Sequence, residues 1–304
     1  MRVTTAQTQA MISGSLNRNG SAMAHLHAQM ASGLRLQKPS DDPVASVRVL
    51  RLQREEAALD QYGKNIDNLS HRLAAQETGL KSGSEALLNL NDLLLWASNG
   101  ANTAEDLRSM AGQMQSLEQS LVALFNGRDE DGRYRFAGTR TDTPALTFDP
   151  ASGRYSLSGN DQHRQAAVAN GVLVKENVTL HEVLGANPEL LNDLHALVQT
   201  LQDPALDPAD PAVQAQLKGM LGRVDDSHRA LLGMMTELGS RQNHLSLLAE
   251  GNEDASIVHQ NLREQLTALD YPKATVALAQ HELAMQASQK TYLKIGALSL
   301  FNLM

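Results

Sequence analysis

Residues 52–94 read LQREEAALDQYGKNIDNLSHRLAAQETGLKSGSEALLNLNDLL. Every seventh residue is apolar: Leu52, Leu59, Ile66, Leu73, Leu80, Leu87 and Leu94. Three residues further on come Tyr62, Leu69, Leu90 and Ala97, with Glu55, Gln76 and Gly83 between them. Alternating steps of three and four put one apolar stripe along a helix. At about 1.5 Å per residue, a helix from Leu52 to Leu94 is roughly 63 Å long. A compact globule of 304 residues has a radius of gyration of only about 19 Å. Each Leu or Ile stabilises by about 1.5–3 kcal/mol when buried, so the stripe needs partners. The expected fold is mainly α: an elongated, heptad-patterned helical bundle or rod. Gly63, Gly79 and Gly83 lie in the stripe, and each costs about 1 kcal/mol of helix stability relative to alanine. They are either tolerated or, at Gly79 and Gly83 one turn apart, they let a neighbouring helix approach closely.

Towards the N-terminus, a helix is expected over about Thr5–Leu36. Its stripe is Ile12, Leu16, Asn19, Met23, Leu26 and Met30. Asn19 either fixes register, as a lone polar residue in a heptad core does, or faces water. The stretch Pro39-Ser40-Asp41-Asp42-Pro43 then breaks the pattern. Proline disfavours helix at the residue before it. Asp42 suits an N-cap and Pro43 the first helical position. This is a joint between two rods.

After Trp96 the chain turns, and Thr103 with Asp106 makes a capping-box start. Leu107, Met110, Met114, Leu117, Leu121 and Leu124 form the stripe of a helix folding back on the long one. From Asn126 the period falls to two. Tyr134 and Phe136 alternate with polar residues, and Ala145–Phe148, Arg154–Ser158, Ala166–Ala169 and Val172–Leu180 are separated by turn dipeptides. These are short strands of a small β insertion. A second long stripe follows: Leu217, Leu221, Val224, His228, Leu231, Met235, Leu238, Gln242 and Leu245, continuing in shifted phase through Leu248, Ala255, Leu262, Leu266 and Leu269. Glu250-Gly251 marks a short break or a stammer in one helix. Asp270-Tyr271-Pro272 echoes the first joint. A last helix over Lys273–Leu298 carries Val276, Leu278, Leu283, Met285, Tyr292, Leu293 and Ile295. The expected division is 1–40, an N-terminal helix; 41–142, the first half of the bundle; 143–187, the β insertion; 188–269, the second half; and 270–304, a C-terminal helix.

Composition excludes several classes. The net charge of −8 and the want of a dense Lys/Arg stripe give no support for nucleic-acid binding. With no cysteine there is no disulfide or thiol chemistry. The first residues lack the apolar core of a secretory signal, and no run of about 20 apolar residues occurs, so a soluble chain is expected, exported, if at all, without a cleaved signal. Ten histidines are scattered; His25 and His27 point to different helix faces, and His228 reads as a core histidine. Asp129, Asp131 and Gly132 resemble a calcium loop only faintly, since its first and twelfth positions fall on Gly127 and Gly138. No catalytic, cofactor-binding or metal site is expected. Arg48, Arg51 and Arg54 line one helix face, either solvated or pairing with an adjacent subunit. Weak terminal helices with apolar stripes, jointed to a stable bundle, suit an interaction protein whose ends order on assembly.

Ser32-Gly33-Leu34-Arg35 followed by Pro39-Ser40-Asp41-Asp42-Pro43-Val44-Ala45 resembles the hook-associated protein 3 family of the bacterial flagellin superfamily. So do Gln61-Tyr62 with Asn65, Gly132-x-Tyr134-x-Phe136-x-Gly138-Thr139, Asp270-Tyr271 and Leu298-Ser299-Leu300. Flagellin usually has Asp-Asp-Ala-Ala-Gly where this chain has Asp41-Asp42-Pro43-Val44-Ala45. Pro272 stands where the family has a small residue, which bears on the continuity of the last helix. The resemblance implies a structural, non-enzymatic subunit of the flagellum, exported by the type III apparatus. It would form a ring-like layer joining hook-associated protein 1 to the flagellin filament. The terminal helices would build the inner tube, and an export chaperone would bind the C-terminal one. Assembly contacts are expected from Ile12, Leu16, Met23, Leu26, Met30, Val276, Leu283, Met285, Leu293, Leu298 and Leu300, with Pro39, Ser40, Asp41, Asp42 and Pro43 as the joint. A minor flagellin or a coiled-coil binding module remains as an alternative.

Overall fold

The structure, a computed structural model, describes residues 5–185 and 187–301, with the side chains of 5, 6, 9 and 295–301 set aside. Among these residues seven helices and four strands follow in order: α1 Thr5–Ser32, α2 Pro43–Ala97, α3 Ala104–Phe125, β1 Leu146–Asp149, β2 Arg154–Leu157, β3 Gln165–Ala169, β4 Val172–Lys175, α4 Leu180–Leu184, α5 Glu189–Gln202, α6 Pro211–Thr267 and α7 Tyr271–Phe301. The strands form two separate antiparallel hairpins, β1–β2 and β3–β4. The mainly α class with a small β portion is as the heptads predict. The chain divides into two compact units. One holds residues 1–58 and 254–304, the other residues 59–253.

In the larger unit the stripe of α2 is the core. Ile66, Leu69, Leu73, Leu80, Leu87, Leu90, Leu94 and Ala97 are buried. On α6, Leu217, Val224, Leu231, Leu238 and Leu245 recur at strict sevens, all buried. No break occurs at Gly251, and α6 runs 57 residues. His228 sits in that seam, with Nε2 2.9 Å from Ser84 Oγ, a satisfied core histidine. A Cβ at Gly83 would lie 3.7 Å from Leu231 Cδ1, and one at Gly79 3.4 Å from Phe136 Cζ. A neighbouring helix, α6, does lie over Gly83, whereas Gly79 meets a loop aromatic.

The stripe of α3 differs from the expected one. The buried residues are Leu107, Ala111, Met114, Glu118, Leu121 and Phe125, while Met110 and Leu117 are half-buried at the edge of the core. Leu107, Met114 and Leu121 are in the seam as expected, whereas Met110, Leu117 and Leu124 lie one position to its side, where Ala111, Glu118 and Phe125 are buried instead. That seam accepts a small residue and a carboxylate because the elements opposite it supply the contacts. The capping box is as expected: Thr103 Oγ1 accepts from Asp106 N–H at 3.2 Å, and Thr103 N–H donates to Asp106 Oδ2 at 3.0 Å.

The alternation at Tyr134 and Phe136 does not produce a strand. Asp129 Oδ1 accepts from the N–H groups of Asp131 and Arg133, Gly132 takes φ +76°, and Tyr134 makes only an isolated bridge to Arg128. Phe136 instead enters the core edge-on to Phe125, with ring centroids 6.3 Å apart. Val172–Leu180 also stops early, at Lys175. Gln76, almost fully buried, intercepts the next residues: its Nε2 donates to Glu176 O at 3.0 Å, and its Oε1 accepts from Val178 N–H at 2.8 Å. One helix side chain thus takes the place of a ladder strand.

Candidate assembly surface

The smaller unit is built around the proline joint. Gly33 closes α1 in the left-handed region at φ +71°, and its N–H donates to Gln29 O at 2.8 Å. The chain then runs beside the end of α6 and the link that leads to α7. Leu34 bridges Ala268, Arg35 N–H donates to Thr267 O at 2.8 Å, and Leu269 N–H donates to Gly33 O at 3.0 Å. Arg35 reaches Asp42 Oδ2 at 3.2 Å and Leu266 O at 3.0 Å. Pro39 and Ser40 form the exposed corner of a turn closed by Asp41 N–H donating to Lys38 O at 3.0 Å. Asp41 Oδ2 accepts from Gln37 and Lys38 N–H, both at 2.9 Å, and His25 Nε2 stands 3.8 Å from Asp41 Oδ1. Asp42 Oδ1 accepts from Ala45 N–H at 3.0 Å and caps α2, which begins at Pro43. Local residue preferences dictate every step of this turn.

The second joint works alike. Asp270 Oδ1 accepts from Lys273 N–H at 3.0 Å. Pro272 falls in the first turn of α7, where its missing N–H costs nothing, so the helix is continuous. Tyr271 donates its hydroxyl to Met30 O at 3.0 Å, tying the end of α1 to the start of α7.

Two carboxyls at the first joint sit below the usual carboxylate range. Backbone N–H bonds, led by that from Lys38, hold Asp41 down; the Ala45 N–H and then Arg35 do so for Asp42. A depressed folded-state value means that the contribution is present above the unfolded value and lost as pH falls through the folded one. Protection of the amides of residues 33–45, taken relative to their intrinsic exchange at each pH, should therefore fall below about pH 4, and this acid sensitivity should vanish in Asp41→Asn/Asp42→Asn. Hydrogen exchange against pH measures it.

α1 and α7 pack antiparallel. Asn19 Oδ1 lies 3.1 Å from His281 Nδ1, so the polar residue in the stripe is a register pin and does not face water. A Cβ at Gly20 would lie 3.9 Å from Met285 Cε. The expected assembly residues divide accordingly. Ile12, Leu16, Met23, Leu26 and Met30 share Asn19's stripe and are half-buried, as is Met285 opposite. Val276, Leu283 and Leu293 point away, 59%, 69% and 70% exposed. The side chains of Leu298 and Leu300 lie outside those described. Reasoning from sequence missed Gln29, which is buried and donates Nε2 to Arg35 O at 2.6 Å, along with Tyr271 and His281. Gln29 bonds across the end of α1, where no sequence repeat marks it, and the partners of Tyr271 and His281 lie more than 240 residues away.

Among the described residues no three His, Asp or Glu side chains gather as a metal site would require. No described helix is long and apolar enough to cross a membrane.

Residues 3–141 match the bacterial flagellin N-terminal helical region. The chain is 27% identical to flagellar hook-associated protein 3 of Escherichia coli K12, over 90% of each chain. It is 25% identical to flagellin of Bacillus subtilis, over 90% of this chain and 89% of that one. The structure of a flagellar hook-associated protein from Vibrio parahaemolyticus superposes with TM-score 0.68 at 37% identity, covering 75% of this chain and all of that one. By that likeness the chain belongs to the flagellar hook-associated proteins.

Proposed function

We propose that the protein is the structural subunit joining hook-associated protein 1 to the flagellin filament. The terminal segments 1–40 and 270–304 assemble as an inner tube, and copies close a ring-like layer. The observation that carries this is the outward face of α7. Val276, Leu283 and Leu293 project from a helix whose other face is already used by α1. Burying such side chains stabilises by about 1.5–3 kcal/mol each, so that face is suited to contact with neighbouring subunits. Before export it is suited to a chaperone that covers it, and family membership supports passage through the flagellar type III apparatus.

Leu283→Asp/Leu293→Asp should leave folding nearly unchanged, within about 0.5 kcal/mol, because both sites are exposed. The variant should nevertheless fail to hold filaments on hooks and abolish swimming. Normal motility with this variant as the sole copy would sink the reading. The likeness to B. subtilis flagellin supports a second reading, a minor filament subunit. Long filaments grown from the purified protein alone would favour it.

A further inference from the structure

Within the smaller unit, α2 and α6 share charges in a one-sided way. On the sides that face each other, α2 supplies the acids and α6 the bases: Glu56 Oε2 binds Arg263 Nη1 at 2.8 Å, and Glu55 Oε2 lies 3.7 Å from His259 Nε2. The outer sides carry the opposite arrangement. Arg54 is two residues from Glu56, and Ile257 two from His259, so each points away from the paired side. The outer stripe of α2 is Val47, Leu50, Arg51 and Arg54, all exposed, with no acid among them. That of α6 is Asp254, Ile257 and Glu264, all exposed, with no base. Arg54, Asp254 and Glu264 have no ion pair among the described residues; Arg51 pairs only with Glu55 on its own helix, across solvent, where such a bond holds weakly.

We infer that the basic, apolar stripe of α2 in one copy docks on the acidic, apolar stripe of α6 in the next. Two α2 stripes repel each other, and so do two α6 stripes. The contact is therefore heterologous and leaves a free stripe at each end, which propagates into a ring or helix and cannot close as a dimer. This rests on the junction reading above and identifies which lateral faces meet in it.

The test is a charge swap in cells that lack their own copy. Arg51→Glu/Arg54→Glu and Asp254→Arg/Glu264→Arg are made separately and together. Thermal unfolding by circular dichroism verifies that each purified variant is folded. The amount in sheared flagella, against that shed into the medium, is read by immunoblot. Each reversal alone should lower the flagellar amount by about tenfold or more, since like charges facing each other in an interface are strongly unfavourable. The combined variant should recover most of the loss. Folded reversals that assemble like the parent, or a combination that rescues nothing, overturn the interface while leaving the junction reading intact. Absence of the parent protein itself from flagella overturns both.

Discussion

Replacing Gln76 by Leu should destabilise the larger unit by about 2–6 kcal/mol, although leucine suits a heptad core position. Gln76 lies in the stripe of α2 with 2% of its surface exposed. Its amide satisfies two backbone groups from a segment 100 residues away, Glu176 O and Val178 N–H. Leucine would fill the volume and leave both groups buried without partners, at about 1–3 kcal/mol each. It would also free the chain between β4 and α4, whose start is fixed by Thr179 N–H donating to Glu182 Oε2 at 2.9 Å. Urea unfolding followed by circular dichroism measures the loss. A change below about 1 kcal/mol would mean that water or a backbone shift replaces the amide.

A loss of about 3–5 kcal/mol is expected for Glu118→Ala. Glu118 is 2% exposed, and its Oε1 accepts from Tyr155 Oη at 2.7 Å and lies 2.9 Å from His195 Nδ1. It therefore ties α3 to β2 and α5. Phe148 packs tilted against both rings, with centroids 4.9 Å from Tyr155 and 5.1 Å from His195. Burial, reinforced by the carboxylate, pushes the Tyr155 phenol well above its ordinary value, so it stays a donor. Alanine removes the shared acceptor and opens a cavity. Glu118→Gln should cost far less, because the amide oxygen still accepts and no buried charge remains. Oε2 of the carboxylate has no protein partner, so little is lost there. The ratio of the two losses in one unfolding series tests whether the hydrogen bonds or the charge hold the three elements together.

What the sequence makes legible here is local. Helix identity follows from the sevens in α2 and α6, and the joints follow from Asp42-Pro43 and Asp270 because caps and prolines act within one turn. Burial of polar residues is not local. Gln76 looks like a flaw in an apolar stripe until its partners arrive from the chain after β4, and Glu118 falls outside the expected stripe of α3, in which Met110, Leu117 and Leu124 are one position off the seam, until Tyr155 and His195 meet it. Beyond residue 245 the shifted stripe puts Leu262 inside, whereas it is 45% exposed and His259 and Arg263 turn inward to meet Glu55 and Glu56. On α7 the apolar residues occupy two faces, and only the antiparallel pairing with α1 separates the inward one from the outward one.

The clasp between Gly33–Arg35 and Thr267–Leu269 joins parts of the chain more than 230 residues apart. Once it is closed, α1 and α7 meet as an intramolecular pair at millimolar effective concentration, in order of magnitude. Two weak helices that would rarely find each other as separate peptides are thereby held in register without a strong interface of their own. Mass action from the clasp does the work that a larger hydrophobic seam would otherwise do, and the outer apolar residues of α7 remain free for other uses.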